Sequence, residues 1–289
     1  MSSLLLLAVL VLPGLALALP AQTAVVVKPV ANMYSEPTED ADVVSQAICG
    51  TNVNLLEEKE LWVRVQTPDD YTGWMPLASL RRHGANDRPY ASTGRVAQVQ
   101  SLFANLYREP DVTKHQPTLT VPFETRLEVL AEPTSDEGRW LQTRLPDDRR
   151  AWVQRGDVIF DPKPLTIAET IELAKRFLGL TYLWGGTSSF GYDCSGFMQM
   201  LIRQRGVIMP RDADLQAAWS GLAPVKRSRL KPGDLLFFGN SPDKITHTGM
   251  YIGRGEFIHA TTYSHPIVQI TRLADPHWTK LLVAYRRLK

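Results

Sequence analysis

One cysteine and two histidines in the C-terminal part of the chain could together carry out nucleophilic chemistry. Cys194 stands between a glycine-rich segment at 184–193 and an apolar run that is typical of a helix. At the first turn of a helix, unpaired backbone N–H groups and the helix dipole favour a thiolate. A thiolate nucleophile needs an imidazole that forms an ion pair with it and shuttles the proton. His247 and His259, which lie in strand-like segments, are the candidates for this role in cysteine-dependent acyl transfer.

The elements that must position these residues predict an α+β domain over residues 165–289. Thr166 is a candidate N-cap, and Glu169 completes a capping box before a helix with one apolar face. The cysteine helix follows and ends near Gly206, and strand-like runs come after it at 234–238, 247–252 and 256–260. Helices followed by an antiparallel sheet are typical of an α+β domain.

An internal repeat precedes this domain. Three blocks recur in the same order, at 32–37 and 105–110, at 61–65 and 139–143, and at 68–75 and 146–153. Each copy has short alternating runs divided by Pro, Gly and Asp turns, which is typical of a small β-barrel. We therefore expect two such domains, over residues 22–82 and 92–160, with a polar linker between them.

Composition and cysteine usage narrow the function further. The chain has 32 Lys and Arg against 30 Asp and Glu, a net charge of +2, so a nucleic-acid partner is not expected. A disulfide between Cys49 and Cys194 would consume the nucleophile, so we interpret Cys49 as a free, buried residue. The histidines lack metal-motif spacing and two cysteines cannot form a zinc cluster, so neither a metal nor a cofactor is expected.

The N-terminus carries an apolar run at 4–19 that ends in small residues. This pattern predicts a signal peptide over residues 1–21 and hence export to the periplasm or the extracellular space. The run is too short for a typical membrane span, so no membrane association beyond the leader is expected. A buried hydrophobic terminus and an uncleaved anchor are the alternatives to a signal peptide, and a cytoplasmic location is the alternative to export.

The motifs around the cysteine resemble those of the NlpC-type cell-wall cysteine peptidases, a compact papain-like group. The resemblance is carried, in order, by YLWGG at 182–186, DCSG at 193–196, MPRDA at 209–213, KPGDLLFF at 231–238 and HTGMYIG at 247–253. The two repeats resemble bacterial SH3-like domains, which often precede this catalytic domain. The resemblance implies a papain-like α+β catalytic domain after two small SH3-like β-barrels.

The resemblance also implies a role for each residue of the triad. Cys194 would be the nucleophile, His247 the base, and His259 the group that orients the base imidazole. The domain order is similar to that of γ-D-glutamyl-L-diamino acid endopeptidases, which release L-Ala-γ-D-Glu from murein stem peptides and need no cofactor.

In that subgroup a Glu and a Tyr of the first SH3-like domain, with the Asp before the nucleophile, bind the ammonium of a free N-terminal L-Ala. The matching positions here are Glu36, Tyr71 and Asp193. Further candidates for substrate binding are Tyr182, Trp184, Ser195, Arg211 and Asp212. Some relatives carry a serine where this chain has Ala213, so one hydroxyl contact would be missing.

Differences between the two repeats support a special role for the first copy. The second copy keeps an acid, Glu109, but has Arg149 opposite Tyr71. Only the first copy therefore offers an acid together with a phenol.

Two other functions stay open: a hydrolase of intact cross-linked peptidoglycan that uses the SH3-like pair as wall-binding modules, and a binding protein with an inactive catalytic domain. We expect a monomer, and we interpret the four remaining histidines as surface residues.

Overall fold

The computed structural model of the chain describes residues 22–84, 86–132 and 138–289. They form two strand-rich units and a C-terminal α+β unit. The signal peptide predicted over residues 1–21 lies outside the described residues. Within those residues, no helix is both long and apolar enough to cross a membrane.

The first unit is a seven-stranded antiparallel sheet in the order β3-β2-β6-β5-β4-β1-β7. Alternate residues of its strands point inward, as Val63 and Val65 do in β5, and they pack against Met33 and Met75. The strands are β1 (Thr23–Val26), β2 (Val30–Tyr34), β3 (Val43–Ile48), β4 (Asn52–Lys59), β5 (Trp62–Gln66), β6 (Thr72–Pro76) and β7 (Leu80–Arg82), with a 3-10 turn at Leu77–Ser79.

The second unit repeats this topology, with the strand order β10-β9-β13-β12-β11-β8-β14. The repeated sequence is therefore also a structural repeat. Equivalent aromatic pairs lie edge to face in the two units: Tyr34 and Trp62 with ring centroids 5.5 Å apart, and Tyr107 and Trp140 also 5.5 Å apart. The strands are β8 (Val96–Val99), β9 (Phe103–Tyr107), β10 (Leu119–Pro122), β11 (Arg126–Ala131), β12 (Trp140–Arg144), β13 (Arg150–Gln154) and β14 (Val158–Phe160), with a 3-10 turn at Arg155–Asp157.

Neither sheet closes into the barrel that the repeat predicts. Among the described residues, no strand pairing joins β3 to β7 or β10 to β14. In the first unit, the edge strand β3 is covered by the C-terminal unit. The backbone N–H of Thr187 donates to the Gln46 side-chain oxygen (3.1 Å), and the Thr187 hydroxyl donates to the Gln46 carbonyl (3.1 Å). An edge covered in this way needs no partner strand.

The C-terminal unit has the α+β organisation that the sequence predicts. Its six-stranded antiparallel sheet has the order β17-β22-β18-β19-β20-β21. The capping box is confirmed, with Glu169 N–H donating to Thr166 Oγ1 and Thr166 N–H donating to Glu169 Oε2. The elements are α1 (Ile167–Lys175), β15 (Thr187–Ser188), β16 (Gly191–Tyr192), α2 (Cys194–Arg203), α3 (Ala213–Ala218), β17 (Leu222–Pro224), β18 (Leu235–Ser241), β19 (Lys244–Gly253), β20 (Glu256–Thr261), β21 (Ile267–Arg272), α4 (Pro276–Leu281) and β22 (Leu282–Leu288), with a 3-10 turn at Arg227–Arg229.

Helix α2 is fixed by both strand-rich units. Gln199 donates a hydrogen bond of 2.8 Å to Asp69 in the first unit. One turn later, Arg203 makes a two-pronged ion pair with Glu124 of the second unit, at 2.9 and 2.7 Å. Contacts from two separate units therefore position the helix that begins at Cys194.

The second unit also contributes to the hydrophobic core of the C-terminal unit. Phe123 is buried in that core, with its ring centroid 5.6 Å from that of Phe177. Beside it, the Phe123 backbone N–H donates to Ser189 Oγ (2.9 Å), and Arg176 donates to the Gln100 carbonyl (2.8 Å). The α+β unit is thus completed by a residue from outside its own sequence range.

Candidate active site

Cys194 is the first residue of α2 and is only 8% exposed. Asp193 occupies the N-cap position, and its Oδ1 accepts a hydrogen bond of 2.7 Å from the Gly196 N–H. The glycine-rich segment packs tightly on this turn, because a Cβ added at Gly196 would lie 2.2 Å from the Gly186 carbonyl oxygen. Only glycine at position 196 allows this approach, which positions the thiol at the start of the helix.

His247 and His259 lie on the neighbouring strands β19 and β20, and their imidazoles are in contact. His247 Nε2 is 2.7 Å from His259 Nδ1. His259 is fully buried, and its Nε2 is 3.0 Å from Thr271 Oγ1 in β21. The tautomer of His247 with its proton on Nε2 satisfies the first contact and leaves Nδ1 free to accept a proton.

Thr271 could not be identified from the sequence. In the sheet register, Thr271 pairs with Phe257, and His259 pairs with Gln269, so Thr271 reaches His259 only diagonally. That geometry depends on the register of β20 and β21, which the sequence pattern does not specify.

An aromatic enclosure surrounds both imidazoles. Trp278, a buried residue of α4, has its ring centroid 4.7 Å from that of His247 and 4.8 Å from that of His259. Phe238 and Phe257 contact the same pair, at 5.6 Å from His247 and 4.4 Å from His259. The enclosure keeps His259 fully buried and leaves His247 partly exposed, and Trp278 could not be identified from the sequence.

The middle of β19 lies against the helix that carries the nucleophile. The backbone N–H groups of Thr248, the neighbour of His247, and of Ser195 act to lower the pKa of Cys194, and strand β19 packs on helix α2. The strand that carries the candidate base therefore meets the helix that carries the thiol, as the sequence-based assignment requires.

Burial determines the charge state of this pair. It raises the pKa of Cys194 to about 12, with the Asp193 carboxylate acting in the same direction. Burial also lowers the pKa of His247 to about 3, helped by the nearby His277, and it holds the pKa of His259 well below its ordinary value. Burial therefore acts against the charged forms of both the thiol and the imidazole. Desolvation thus acts against the thiolate that the donors at the helix start favour.

Asp193 is engaged within the protein. Arg211, which is 2% exposed, forms a two-pronged ion pair with it, and Nη1 lies 3.1 Å from Oδ1. The same Nη1 donates to Ser195 Oγ at 2.8 Å, and Nε donates to Ser45 Oγ of the first unit at 3.3 Å. Asp193, expected to bind the ammonium group of L-Ala, therefore already has Arg211 as a partner within the protein.

The acid that does face the first unit is Asp212. The Tyr71 hydroxyl, from the turn between β5 and β6, donates to Asp212 Oδ2 at 3.1 Å. Asp212 is the N-cap residue of α3 but makes no capping bond with its side chain, which is directed to Tyr71. Burial raises the pKa of Tyr71 to about 12, and Asp212 adds to the effect. Burial also raises the pKa of Asp212.

Tyr71 and Arg149 occupy equivalent turns in the two repeats. The Tyr71 carbonyl accepts from the Thr67 N–H at 2.9 Å, and the Arg149 carbonyl accepts from the Leu145 N–H at 2.8 Å. Arg149 is paired with Asp147 at 2.7 Å on the surface. The predicted asymmetry is therefore present: one turn points a phenol at the C-terminal unit, and its counterpart carries an exposed ion pair.

The other candidates for substrate binding line the same region. Tyr182 is half-buried, and burial raises its pKa, with Cys194 as the second cause. Trp184 is 67% exposed. A Cβ at the next residue, Gly185, would lie 2.5 Å from the Val43 carbonyl oxygen, so this loop touches the first unit at the start of β3.

Glu36 lies in the turn that leads from β2 toward β3, and its side chain is exposed. It forms no side-chain hydrogen bond or ion pair with the part of the chain that the structure describes. Its counterpart Glu109 is instead paired with Lys114 at 3.4 Å and with His115 at 3.2 Å. The turn around Glu36 thus presents a free carboxylate on the side of the first unit where the start of β3 meets the loop that contains Gly185.

Two sequence interpretations outside the triad can also be compared with the structure. Cys49 is free and 1% exposed, as expected, and it packs in the core of the second unit. His277, interpreted as a surface residue, is half-buried and stacked on Tyr263. Across residues 22–84, 86–132 and 138–289, no cluster of three or more His, Cys, Asp or Glu is arranged to hold a metal ion.

Comparison with known proteins gives two family matches. Residues 179–287 match the model of the NlpC/P60 family. Residues 33–80 match the model of the bacterial dipeptidyl-peptidase SH3 domain. The second of these covers most of the first strand-rich unit.

Similar proteins extend over most of the chain. A γ-D-glutamyl-L-lysine dipeptidyl-peptidase of Bacillus cereus is 32% identical over 84% of this chain and 74% of its own length. A Bacillus subtilis protein of the same name is 30% identical, over 86% and 82%. The crystal structure of an NlpC/P60 family protein from Bacillus cereus superimposes with a TM-score of 0.80 and 26% identity, over 92% of this chain and 99% of that one.

Proposed function

The chain belongs to the NlpC/P60 family of cysteine peptidases, and on that premise we propose that it cleaves murein stem peptides with a free N-terminal L-Ala. The bond hydrolysed joins γ-D-Glu to the diamino acid, and the product is L-Ala-γ-D-Glu. The observation that carries the proposal is the hydrogen bond between Tyr71 and Asp212. It brings a phenol and an acid from two units together beside the nucleophile helix, where they can bind an ammonium group.

Catalysis starts from the neutral pair. As Cys194 Sγ attacks the γ-carbonyl carbon, its proton passes to His247, so charge separation occurs only when the substrate is in place. The backbone N–H of Cys194 donates to the developing oxyanion. His247 then protonates the leaving α-amine of the diamino acid as the C–N bond breaks, which leaves a thioester. Water, deprotonated by His247, hydrolyses the thioester and regenerates the thiol.

His259 and Thr271 act as positioning residues for the base. The Nε2–H of His247 donates to His259, and this contact leaves Nδ1 of His247 as the atom that takes the thiol proton. The contact to Thr271 fixes the ring of His259 in turn. The nonpolar enclosure around them strengthens both hydrogen bonds, because water cannot compete for them.

The ammonium group of L-Ala is bound at the other end of the cleft. Asp212 and the Tyr71 hydroxyl provide acceptors there, and Glu36 supplies a further carboxylate. Asp193, balanced by Arg211, holds the helix start and Ser195 in place. Because a blocked amine would leave these carboxylates desolvated and unpaired, we expect the enzyme to require a free N-terminus.

Digestion of matched peptides tests this function. L-Ala-γ-D-Glu-L-Lys and its diaminopimelate analogue should be cut with release of the dipeptide, and the N-acetylated peptides should be resistant. Glu36→Gln should lower kcat/KM by about tenfold to a hundredfold. Glu109→Gln, the matched change in the second repeat, should have almost no effect. Cleavage of acetylated peptides or intact sacculi at the same rate would contradict the proposal and favour a wall-lytic enzyme.

The second strand-rich unit is proposed to be another SH3-like domain, because its strand order is identical to that of the first. We also propose that the protein is an exported monomer, since its substrate is wall-derived and one chain holds the whole site. N-terminal sequencing of the mature protein from cell fractions, with its mass by light scattering, tests both statements. An intact Met1 on a cytosolic protein would point to peptide recycling inside the cell.

A further inference from the structure

Two aromatic side chains form a stacked pair beside the base. The rings of Tyr263 and His277 are nearly parallel (6°), with centroids 3.8 Å apart. Both rings meet Trp278 edge-on, His277 at 4.8 Å and Tyr263 at 5.8 Å. Trp278 also lies 4.7 Å from His247. The stacked pair therefore extends the side of the cleft that holds His247 toward the protein surface.

The imidazole of His277 is held in place without using its polar atoms. Among the described residues, no hydrogen bond reaches its ring nitrogens. Only its backbone N–H is engaged, donating to Asp275 at 2.9 Å. Tyr263 is 42% exposed, so the pair borders solvent. An imidazole immobilised by stacking and lacking a polar partner is preorganised to donate a hydrogen bond to a ligand.

The reaction places a particular group next to this imidazole. His247 protonates the nitrogen of the departing diamino acid, so that residue must lie on the same side of the nucleophile as His247. Its α-carboxylate is attached to the same carbon as the leaving nitrogen. The carboxylates of Asp212 and Glu36 belong to the opposite end, which suits an ammonium group. An imidazole beside the base suits an anion.

We propose that His277, stacked on Tyr263, is a specificity-determining residue that binds the free α-carboxylate of the diamino acid. It makes the enzyme prefer stem tripeptides, in which that carboxylate is free, over peptides in which it is amidated or extended. This inference rests on the proposed function, because it takes the leaving group from that reaction.

A pair of substrates and three variants test the inference. The substrates are L-Ala-γ-D-Glu-L-Lys and the same tripeptide with a C-terminal carboxamide. His277→Phe keeps a ring on Tyr263 but removes the donors, and His277→Gln keeps one donor. His265→Phe is the matched control, because His265 is exposed two residues from Tyr263 and, among the described residues, its ring contacts only Ser264 Oγ, at 3.1 Å. Melting temperatures of all variants report whether the fold is retained.

We expect the wild type to favour the free acid by about tenfold or more in kcat/KM. His277→Phe should remove this preference by raising KM for the acid while cleavage of the carboxamide is nearly unchanged. His277→Gln should retain part of it, and His265→Phe all of it. Equal cleavage of both peptides by the wild type, or equal losses on both in His277→Phe, would overturn the inference and leave the proposed function intact. Failure of the wild type to cut either peptide would overturn both.

Discussion

The Tyr71 hydroxyl and the Asp212 carboxylate are joined by a hydrogen bond of 3.1 Å, although they belong to different units of the chain. Such a contact makes the first strand-rich unit one wall of the cleft. A flexibly tethered wall-binding module would leave the cleft open at this end. The contact therefore favours small soluble peptides over cross-linked wall as the substrate.

Removal of the Tyr71 hydroxyl tests whether this side of the cleft serves substrate binding. Tyr71→Phe should lower kcat/KM for the free-amine tripeptide by about tenfold to a hundredfold, because the carboxylate of Asp212 loses its donor. The melting temperature should change little, since the ring remains. Arg149→Ala, at the equivalent turn of the second unit, is the control and should cut normally. Equal activity of Tyr71→Phe and wild type would show that the contact does not serve substrate binding.

Replacement of Thr271 tests the end of the histidine relay. Thr271→Val keeps the shape of the side chain but leaves His259 Nε2 without its partner, so kcat should fall by about threefold to tenfold. KM should stay nearly constant, because Thr271 contacts His259 on the side of the histidine pair that faces the protein interior. Thr271→Ser retains the hydroxyl and should behave as wild type. A fall in kcat of the same size in the serine variant would indicate a packing effect instead.

The charge state of Cys194 can be measured by alkylation. With its pKa raised to about 12, the thiol should react slowly with iodoacetamide at pH 7, and the rate should climb through pH 9 without a plateau. Cys49 should be replaced by alanine beforehand, because burial raises its pKa to about 12 as well. Its slow alkylation could otherwise not be distinguished from that of Cys194. A rate that is already constant between pH 5 and 8 would reveal a resting ion pair and contradict the neutral state.

Protonation of the buried histidines should couple stability to pH. The pKa of His247 is about 3 in the folded protein, against an ordinary 6.5. Between these values the unfolded chain binds the extra proton, so this contribution to stability is complete above pH 6.5 and is lost as pH falls. The slope is about 1.4 kcal/mol per pH unit, and His259 acts in the same direction.

Urea unfolding at pH 7.5, 6 and 5 measures this slope. His247→Gln should reduce the loss of unfolding free energy on acidification, and the exposed His265→Gln should leave it unchanged. An identical slope in wild type and His247→Gln would mean that this imidazole does not resist protonation in the folded state.

The buried ion pair between Arg211 and Asp193 should be important for stability. Arg211→Met leaves the carboxylate buried without a partner and should reduce the unfolding free energy by about 3–5 kcal/mol. Adding Asp193→Asn to that variant should recover part of the loss, because the uncompensated charge is removed. Thermal unfolding followed by circular dichroism checks both. A double variant no more stable than Arg211→Met would rule out charge as the cause.

Local patterns in the sequence were sufficient for much of the fold. The capping box of Thr166 and Glu169, the α+β order and the repeat are written in short segments, so they could be predicted. Contacts between distant segments could not. The pairing of Asp193 with Arg211 and the approach of Trp278 to His247 depend on how α2, α4 and the sheet pack. The same holds for the charge state of Cys194, because burial is a property of the whole fold.

The burial of Phe123 in the core of the C-terminal unit means that the unit of folding is larger than the repeat or the domain read from the sequence. An excised fragment over residues 165–289 would lack one of its own core rings and would expose the aromatic cluster around Phe177. Calorimetry of the intact protein should then record one cooperative transition. The second strand-rich unit could not be exchanged between relatives as a cassette, because one of its side chains belongs to the core of the C-terminal unit.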